Sequence, residues 1–288
     1  MRPGASHRRG VGQPPGWGGT VKGGRCPFGG AGTSFPLCQH AAVTAADPYY
    51  RDDLALVHHT GFGFHADGCA PGILRLLAPV LERHGLVLEL GCGSGLLTRY
   101  LVAAGHRVIA TDASPAMLGL ARDYAPGTED TRQLVLPDDA LPEADAVVAI
   151  GHPLSYLPDE AALDRALVAA ARALRPGGVL AVDLCDLRWG EARRDAAPHF
   201  RDGGGWILFS RFSVPTPDRF VREMTTFVRQ PDGSWRRDDE RHDNVLIDTS
   251  RVPGLLAEHG VEATVEPAFG DCEFPDGLVA IVGRKARS

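Results

Sequence analysis

Short apolar runs alternate with stretches of helical periodicity through the middle of the chain. Five apolar runs predict buried strands at residues 86–90, 107–111, 133–136, 145–150 and 179–184. Helical spacing of apolar residues predicts helices at 53–59, 70–84, 94–104, 114–124 and 159–174. Because strands that alternate with helices form a parallel sheet covered on both faces, the pattern predicts an α/β fold.

The pattern changes after Asp186, where the strands follow one another without helices between them. Antiparallel strands are predicted at 206–212, 219–229 and 234–247, with a turn at Pro231-Asp-Gly233. A helix at 249–259 and strands at 261–265 and 278–282 then complete the chain. We therefore expect an antiparallel insert at 186–248 within the α/β domain.

The first residues differ in composition from the rest. Residues 1–32 contain eleven glycines and few large apolar side chains. Such a segment buries too little surface to offset the entropy lost on ordering. We predict a disordered extension over residues 1–45 and a single domain over 46–288.

Charge and composition exclude several classes of function. The formal net charge of the 288 residues is −6, which argues against a phosphate-binding nucleic-acid surface. The six cysteines include no Cys-x-x-Cys pair, so no structural zinc site and no bound metal is expected. No apolar stretch approaches a membrane span. We expect a cytoplasmic protein, monomeric or homodimeric, without a membrane or nucleic-acid partner.

The segment Glu89-Leu-Gly-Cys-Gly-Ser-Gly95 stands where the first strand meets its helix. Ligands of open α/β sheets bind at this edge, and glycines let the backbone turn sharply and approach a ligand. Asp112 ends the second strand, where an acid of such folds accepts hydrogen bonds from ribose hydroxyls. These features together predict a nucleoside pocket.

The glycine spacing bears on which nucleoside is bound. A dinucleotide fingerprint is Gly-x-Gly-x-x-Gly, whereas here the third glycine comes one residue early and Leu96 takes its place. The dinucleotide loop presents backbone N–H groups to a pyrophosphate. The spacing therefore disfavours a nicotinamide-dependent oxidoreductase.

At this point the chain resembles the class I S-adenosylmethionine (SAM)-dependent methyltransferases. The glycine segment is similar to their first motif, and Asp112-Ala-Ser-Pro-Ala-Met117 to the stretch after their second strand. Leu141-Pro-Glu-Ala-Asp-Ala-Val-Val148 and Leu174-Arg-Pro-Gly-Gly178 resemble the approaches to their fourth and fifth strands. The resemblance implies a Rossmann-like seven-stranded sheet, mostly parallel with the last strand antiparallel, and SAM as cofactor.

The resemblance also implies roles for individual residues. Glu89 and the loop after it would hold the methionine portion of SAM, Asp112 the ribose, and Ala113 the adenine. Asp138 or Asp139 would face the adenine amino group, and Cys92 is read as a packing residue rather than a nucleophile. The full set expected at the cofactor is Tyr50, Glu89, Gly91, Cys92, Gly93, Gly95, Asp112, Ala113, Met117, Asp138, Asp139 and Gly151.

Candidates for a general base are few. The resemblance implies that His152 lies beside the sulfonium, and its imidazole titrates near neutral pH; a loop histidine bonded to backbone is the alternative. Glu240 and His242 are two apart on a predicted strand and so share one face, which looks onto the substrate or into solvent. His152, Glu240 and His242 are therefore the candidate catalytic residues.

The segment before the first strand is rich in aromatic residues and histidines. In related methyltransferases such a segment folds over SAM as a lid, and here Tyr50, Phe62 or Phe64 would shield the cofactor or pack in the core. After the fourth strand, Gly151-His-Pro-Leu154 lacks the Asn/Asp-Pro-Pro-aromatic motif of nucleic-acid amino-methyltransferases. We expect methyl transfer to an O or N of a small molecule; the alternative is a SAM-binding regulator or protein methyltransferase.

Overall fold

The computed structural model describes residues 49–287. Its helices α1 to α7 are Asp52–Gly61, Phe64–Glu82, Thr98–Ala103, Pro115–Tyr124, Glu160–Ala173, Leu187–Glu191 and Val252–Ala257, with 3-10 turns at Pro153–Tyr156 and Thr249–Arg251. Its strands β1 to β11 are Leu86–Leu90, Arg107–Asp112, Asp130–Gln133, Ala144–Ala149, Leu174–Cys185, His199–Asp202, Trp206–Thr216, Arg219–Arg229, Trp235–Val245, Val261–Glu266 and Leu278–Lys285. The segment predicted to be disordered, 1–45, lies outside the described residues.

A seven-stranded sheet forms the centre of the fold, in the order β10-β11-β5-β4-β1-β2-β3. Strands β3, β2, β1, β4 and β5 are parallel, and β11 is antiparallel to both of its neighbours. This arrangement confirms the predicted sheet. The strand order reverses between β1 and β4, so the carboxyl ends of these two strands form the crevice where ligands of such sheets bind.

The apolar runs form strands because helices bury them on both faces. Leu88 and Leu90 of β1 contact the cluster that includes α5, whereas Val87 contacts the cluster that includes α2 and α3. Helix α5 begins at an N-cap, Asp159, whose side chain accepts a hydrogen bond from the Ala162 N–H. The central strands are therefore rigid supports for the loops at their ends.

A four-stranded antiparallel sheet, in the order β6-β7-β8-β9, follows β5 and confirms the predicted insert. Successive side chains of a strand point to opposite faces, and four even-numbered residues of β8 are buried: Phe220, Met224, Thr226 and Val228. We call this buried side the inner face of the insert sheet. None of the helices in the described part of the chain is long and apolar enough to cross a membrane.

Several predicted boundaries differ from the structure. Helix α2 begins at Phe64 rather than residue 70, so Pro71 lies inside it; burial of Ala66 and Cys69 in the core accounts for the extra turns. Strand β3 ends at Gln133, and the next three residues leave the sheet for a cavity wall. Strand β6 was not predicted, since its sequence His-Phe-Arg-Asp has one apolar residue and no apolar alternation.

Candidate functional site

The loop after β1 exposes backbone rather than side chains. Gly91 and Gly93 have φ values of +64° and +54°, in the left-handed region that favours glycine. A Cβ on Gly91 would lie 2.3 Å from the Cβ of Pro153, so no larger residue fits there without a shift. The chain turns sharply here and leaves room beside the sheet edge.

Asp112, at the end of β2, is bound to this loop. Its Oδ2 accepts a hydrogen bond from the Gly93 N–H at 2.8 Å, and its Oδ1 accepts one from the Ser114 N–H at 2.8 Å. Burial raises the pKa of the Asp112 carboxyl, and the backbone hydrogen bonds oppose that shift. The carboxylate is thereby held in one orientation at the cavity wall.

Glu89, in β1, is buried beside the same cavity with 2% of its surface exposed. Thr98 Oγ1 donates to its Oε2 at 2.8 Å. Burial raises the pKa of the Glu89 carboxyl to about 8, against the opposing effect of the Thr98 hydrogen bond. A buried carboxyl of this kind favours a cationic group on a ligand that contacts it.

The cavity that these residues line has a volume of about 930 Å³. Residues 91–94 and 112–115 form one wall, residues 133–136 a second, and Gly151, Pro153 and Tyr156 a third. The volume lies within the range of small-molecule and cofactor sites. We call these three walls together, at the edge of the parallel sheet, the cofactor floor.

Residues 49–51 cross the cavity and are held from two sides. Glu240 of β9 accepts hydrogen bonds from the backbone N–H groups of Tyr50 and Arg51, each at 2.8 Å. Ser114 Oγ donates to the Tyr50 carbonyl at 2.7 Å. Tyr50 has a φ of +59°, a conformation that a non-glycine residue keeps only where the surroundings enforce it. We call residues 49–51 the lid.

Asp183, at the end of β5, organises the loop after β4. Its side chain is 0% exposed and accepts hydrogen bonds from the N–H groups of Gly151 at 2.9 Å and His152 at 2.6 Å. The Nε2 of His65 lies 2.8 Å from its Oδ2. These bonds hold His152 at a φ of +50°, so its ring leaves the loop in a defined direction.

A group of polar and aromatic side chains lies against the inner face of the insert sheet; we call it the polar cluster. Its members are His152, Tyr156, Trp189, Arg222, His242 and Asn244. Ring contacts connect its aromatic members: the His152 ring is 5.5 Å from that of Tyr156 and 5.5 Å from that of Trp189, and the Tyr156 ring is 5.5 Å from that of His242. Arg222 Nη1 lies 3.4 Å from the Tyr156 hydroxyl.

Buried polar atoms of the cluster lack hydrogen-bond partners among the described residues. They are His152 Nδ1, Trp189 Nε1, His242 Nδ1 and both polar atoms of the Asn244 amide. His242 and Asn244 are 0% exposed. Buried polar groups are normally hydrogen-bonded, so these atoms are available to bond to water or to a polar ligand.

The histidines around the cluster are neutral at physiological pH. Burial, opposed by the charge of Asp183, lowers the pKa of His152 to about 4, and burial with the charge of Arg222 lowers that of His58 to about 3. Burial also lowers the pKa of His242, against its hydrogen bond to Glu240. Each imidazole therefore has one nitrogen that accepts a hydrogen bond.

Known proteins that match this chain are methyltransferases. The family model described as Methyltransferase domain matches residues 87–178. An uncharacterized methyltransferase of Mycobacterium tuberculosis (strain ATCC 25618 / H37Rv) is 33% identical over 175 residues, which are 58% of this chain and 68% of that protein. The chain belongs to the class I SAM-dependent methyltransferases.

Solved methyltransferase structures have the same fold. The sugar N-methyltransferase KedS8 from Streptoalloteichus sp ATCC 53650 superposes with a TM-score of 0.68 at 24% identity, over 86% of this chain and 100% of KedS8. SAM-bound CalS10, an amino pentose methyltransferase from Micromonospora echinaspora, gives 0.60 at 20% identity, over 82% of this chain and 98% of CalS10. At these identities the likeness shows the fold alone.

The residues present fit SAM as the methyltransferase cofactor. The bare backbone at Gly91 and Gly93 leaves space that side chains would fill, and Asp112 stands beside it with a fixed carboxylate. Glu89 supplies a buried acceptor suited to the ammonium of the methionine portion. Within residues 49–287, no group of His, Cys, Asp or Glu side chains is arranged to hold a metal ion.

The methyltransferase cavity brings together most of the residues predicted from sequence. Those that line it are Tyr50, Glu89, Gly91, Cys92, Gly93, Asp112, Ala113, Met117, Gly151 and Glu240. Cys92 is buried in the core, and burial raises the pKa of its thiol, as the packing role predicted for it requires. Of the predicted shielding residues, Phe62 lines the cavity, whereas Phe64 is exposed.

Other predicted residues lie elsewhere. A Cβ on Gly95 would lie 3.3 Å from Ala121 Cα, so this glycine permits close packing on α4 instead of lining the cavity. Asp139 Oδ2 accepts from the Val135 N–H at 2.7 Å and closes a turn, and Asp138 is exposed. Neither acid lines the cavity. Residues 133–136 form the part of the cavity wall where Asp138 or Asp139 was expected.

The three candidate catalytic residues occupy different positions. Both oxygens of Glu240 already accept hydrogen bonds from the lid, and His242 Nε2 lies 2.9 Å from Glu240 Oε2. The two do share the inner face of the insert sheet, where His242 is covered by Tyr49 and Tyr50. His152 is buried in the polar cluster and has an unpartnered Nδ1.

Sequence reasoning missed Asp183, Trp189, Arg222 and Asn244. Asp183 could have been found, because an acid inside an otherwise apolar strand run is costly unless it has partners. Arg222 and Asn244 gave no such indication, since charged and polar residues alternate through β8 and β9 on both faces. Only the packing of the insert sheet distinguishes the inner ones.

Proposed function

We propose that this methyltransferase transfers the methyl group of SAM to the nitrogen of a small-molecule amine. The observation that carries the proposal is the polar cluster: buried hydrogen-bonding atoms without partners beside a cofactor-sized cavity. Unpartnered buried groups are costly, and a ligand that bonds to them repays that cost on binding.

Enclosure supports a small acceptor rather than a protein chain. The lid crosses the cavity on one side, and the inner face of the insert sheet covers the polar cluster on the other. The Tyr50 and Tyr156 hydroxyls lie 2.9 Å apart and connect the two. A folded polypeptide would have to displace both covers, whereas a small molecule needs only the lid to move.

The neutral histidines favour nitrogen over an aliphatic hydroxyl. An imidazole whose pKa is about 4, as in His152, is too weak a base to deprotonate an alcohol. A neutral amine is a nucleophile without deprotonation, and His152 Nδ1 can accept a hydrogen bond from its N–H. The names of KedS8, a sugar N-methyltransferase, and CalS10, an amino pentose methyltransferase, agree with this choice.

The roles of this chain's residues follow from the geometry. SAM, when bound, supplies an electrophilic methyl group on a sulfonium. Glu89, Asp112 and the bare loop would hold the cofactor, and Asp183 fixes Gly151 and His152, which would lie beside the acceptor nitrogen. Tyr50 and Tyr156 exclude water and orient the acceptor, so proximity and alignment make the main contribution to the rate.

A labelling experiment tests the proposal. The full chain is incubated with SAM labelled with ¹³C at its methyl group and with the low-molecular-weight fraction of a metabolite extract. We expect the label on an amine nitrogen, identified from the carbon chemical shift of the purified product. The Asp112→Ala variant serves as a negative control and Asp138→Ala as a matched surface control. Label found only on oxygen, or only on protein, would contradict the proposal.

A further inference from the structure

Arg222 lies in the middle of the insert sheet with its side chain on the inner face. It pairs with His242 across the β8–β9 ladder and with Phe212 across the β7–β8 ladder. Its Nη1 is 3.4 Å from the Tyr156 hydroxyl. Among residues 49–287 no carboxylate lies within ion-pair distance of it. A partly buried guanidinium in this position has hydrogen-bond donors and a charge left for a ligand.

The two buried carboxylates that contact the polar cluster, Asp183 and Glu240, already have hydrogen-bond partners. Asp183 accepts hydrogen bonds from Gly151 and His152 and contacts His65. Glu240 accepts two hydrogen bonds from the lid and contacts His242. Each carboxylate therefore has three partners of its own, and neither neutralises Arg222.

The other groups near Arg222 are neutral. His242 is its neighbour across the β8–β9 ladder, and the charge of Arg222 contributes to lowering the pKa of His58, His152, His199 and His242. Trp189 Nε1–H and the Asn244 amide add donors that lack partners among the described residues. The site thus combines one positive charge with neutral donors, an arrangement that attracts an anion.

We propose that Arg222 binds a carboxylate of the methyl acceptor, which makes the substrate an amine that also carries a carboxylate. This inference rests on the proposed function and adds the substrate class. One guanidinium balances one carboxylate charge, whereas a phosphate monoester or diphosphate needs further cations. A guanidinium also presents a planar fork that matches the two oxygens of a carboxylate.

Binding of simple probes tests Arg222 without methyl transfer. The full chain is loaded with S-adenosylhomocysteine and titrated with ¹³C-labelled acetate and benzoate, and binding is followed by broadening of the probe's NMR signal. Acetamide and benzamide are the neutral matches, and inorganic phosphate is the dianion. We expect saturable binding of the carboxylates, at least about tenfold tighter than that of the amides, in line with a charge-assisted pair.

Two variants and a control make the outcome specific. Arg222→Gln should weaken carboxylate binding about tenfold or more, and Arg222→Lys should retain part of it, because the charge remains and the fork is lost. Arg211→Gln removes the same charge from the solvent face of the same sheet and should leave binding unchanged. S-adenosylhomocysteine affinity, measured by calorimetry, checks that each variant is folded.

Four results would overturn the inference. They are no saturable carboxylate binding to the wild-type chain, equal binding of acid and amide, tighter binding of phosphate, and unchanged carboxylate binding in Arg222→Gln. The labelling experiment gives an independent check, since its product should carry a carboxylate. Label on oxygen or protein would instead refute the amine proposal, and that outcome is distinct from any result of the probe titration.

Discussion

The cofactor floor and the inner face of the insert sheet meet at one site but are built in different ways. On the floor, polar groups bond to one another over short sequence distances, as Asp112 does with Gly93 and Ser114. On the inner face, Arg222 comes together with Tyr156, 66 positions away along the chain, and His242 contacts the same tyrosine, while His242 and Asn244 keep unpartnered atoms. The cofactor floor presents a largely prearranged surface to a ligand, whereas the inner face of the insert sheet presents groups that have no partner among the described residues.

This difference predicts how the two regions respond to mutation. Substitutions on the floor should change cofactor affinity and leave the choice of acceptor unaffected. Substitutions on the inner face and the lid should change acceptor use, with smaller effects on cofactor affinity at equilibrium. Asp183 joins the two regions, because it accepts hydrogen bonds from Gly151, which lines the cavity, and from His152 of the polar cluster.

Loss of Asp183 should therefore have the largest effect. Asp183→Ala leaves the N–H groups of Gly151 and His152 without their buried acceptor, so we expect a loss of about 3 kcal/mol or more in the free energy of unfolding. Urea unfolding measures it. Asp145→Ala, which removes an acid bonded to Leu86 at the opposite end of the sheet, is the control: it should lower stability but spare turnover. Equal turnover in both variants would contradict the joining role.

The next pair of variants tests the two aspartates predicted to bind the cofactor, Asp112 at the ribose and Asp138 at the adenine. Asp112→Ala should weaken SAM binding by about 1–3 kcal/mol, through loss of charge-assisted hydrogen bonds to the ribose. Asp138→Ala, at an exposed position, should leave the affinity within about twofold of wild type, as surface changes usually do. Calorimetry with SAM measures both. A larger loss of SAM affinity in Asp138→Ala would indicate that Asp138 does contact the adenine.

A substitution at Glu240 tests whether this residue holds the lid in place or acts as a catalytic base. Glu240→Gln keeps the shape but loses the charge that strengthens the bonds to Tyr50 and Arg51, so SAM should dissociate about tenfold faster. Stopped-flow displacement of bound SAM gives this rate. Glu223→Gln, on the solvent side of the same sheet, is the matched control. If turnover collapses while the dissociation rate is unchanged, Glu240 acts as a base instead.

Glu89 makes cofactor binding depend on pH. Because its pKa is raised to about 8, the carboxyl is largely protonated at pH 7 in the free protein and must lose a proton to pair with the ammonium of SAM. SAM affinity should thus rise between pH 6 and pH 8, by at most about tenfold per pH unit, and level off above. Calorimetry in buffers of different ionisation enthalpy measures the released proton. The same slope in Glu89→Gln would assign the proton to another group.

His152 should contribute the smallest pH effect. With a pKa of about 4 its imidazole is neutral throughout pH 6–9, so its protonation cannot shape the pH profile of kcat in that range. His152→Ala should lower kcat with little change in SAM affinity, and by the same factor at every pH. A loss confined to one side of neutrality would show that the histidine titrates during turnover.

Local sequence was sufficient for the secondary-structure elements and the glycine turn of the cofactor floor. The order of strands and helices, the N-cap at Ser114 and the glycine turn all depend on residues within a few positions of one another. The same reasoning did not foresee that Asp138 and Asp139 lie off the cavity wall, because where the chain leaves β3 depends on packing against the neighbouring loops. It placed Glu240 and His242 on one face but left open whether that face met a substrate or solvent.

The sequence by itself determined the α/β fold and a nucleoside pocket built from glycine backbone and two acids, since short-range patterns specify each part. Only the tertiary structure decided which polar residues of the insert face inward, because alternation along a strand does not tell the buried side from the solvent side when both carry charge. It also decided that Arg222 lacks a carboxylate partner in the described chain, since pairing depends on distances between residues far apart in sequence.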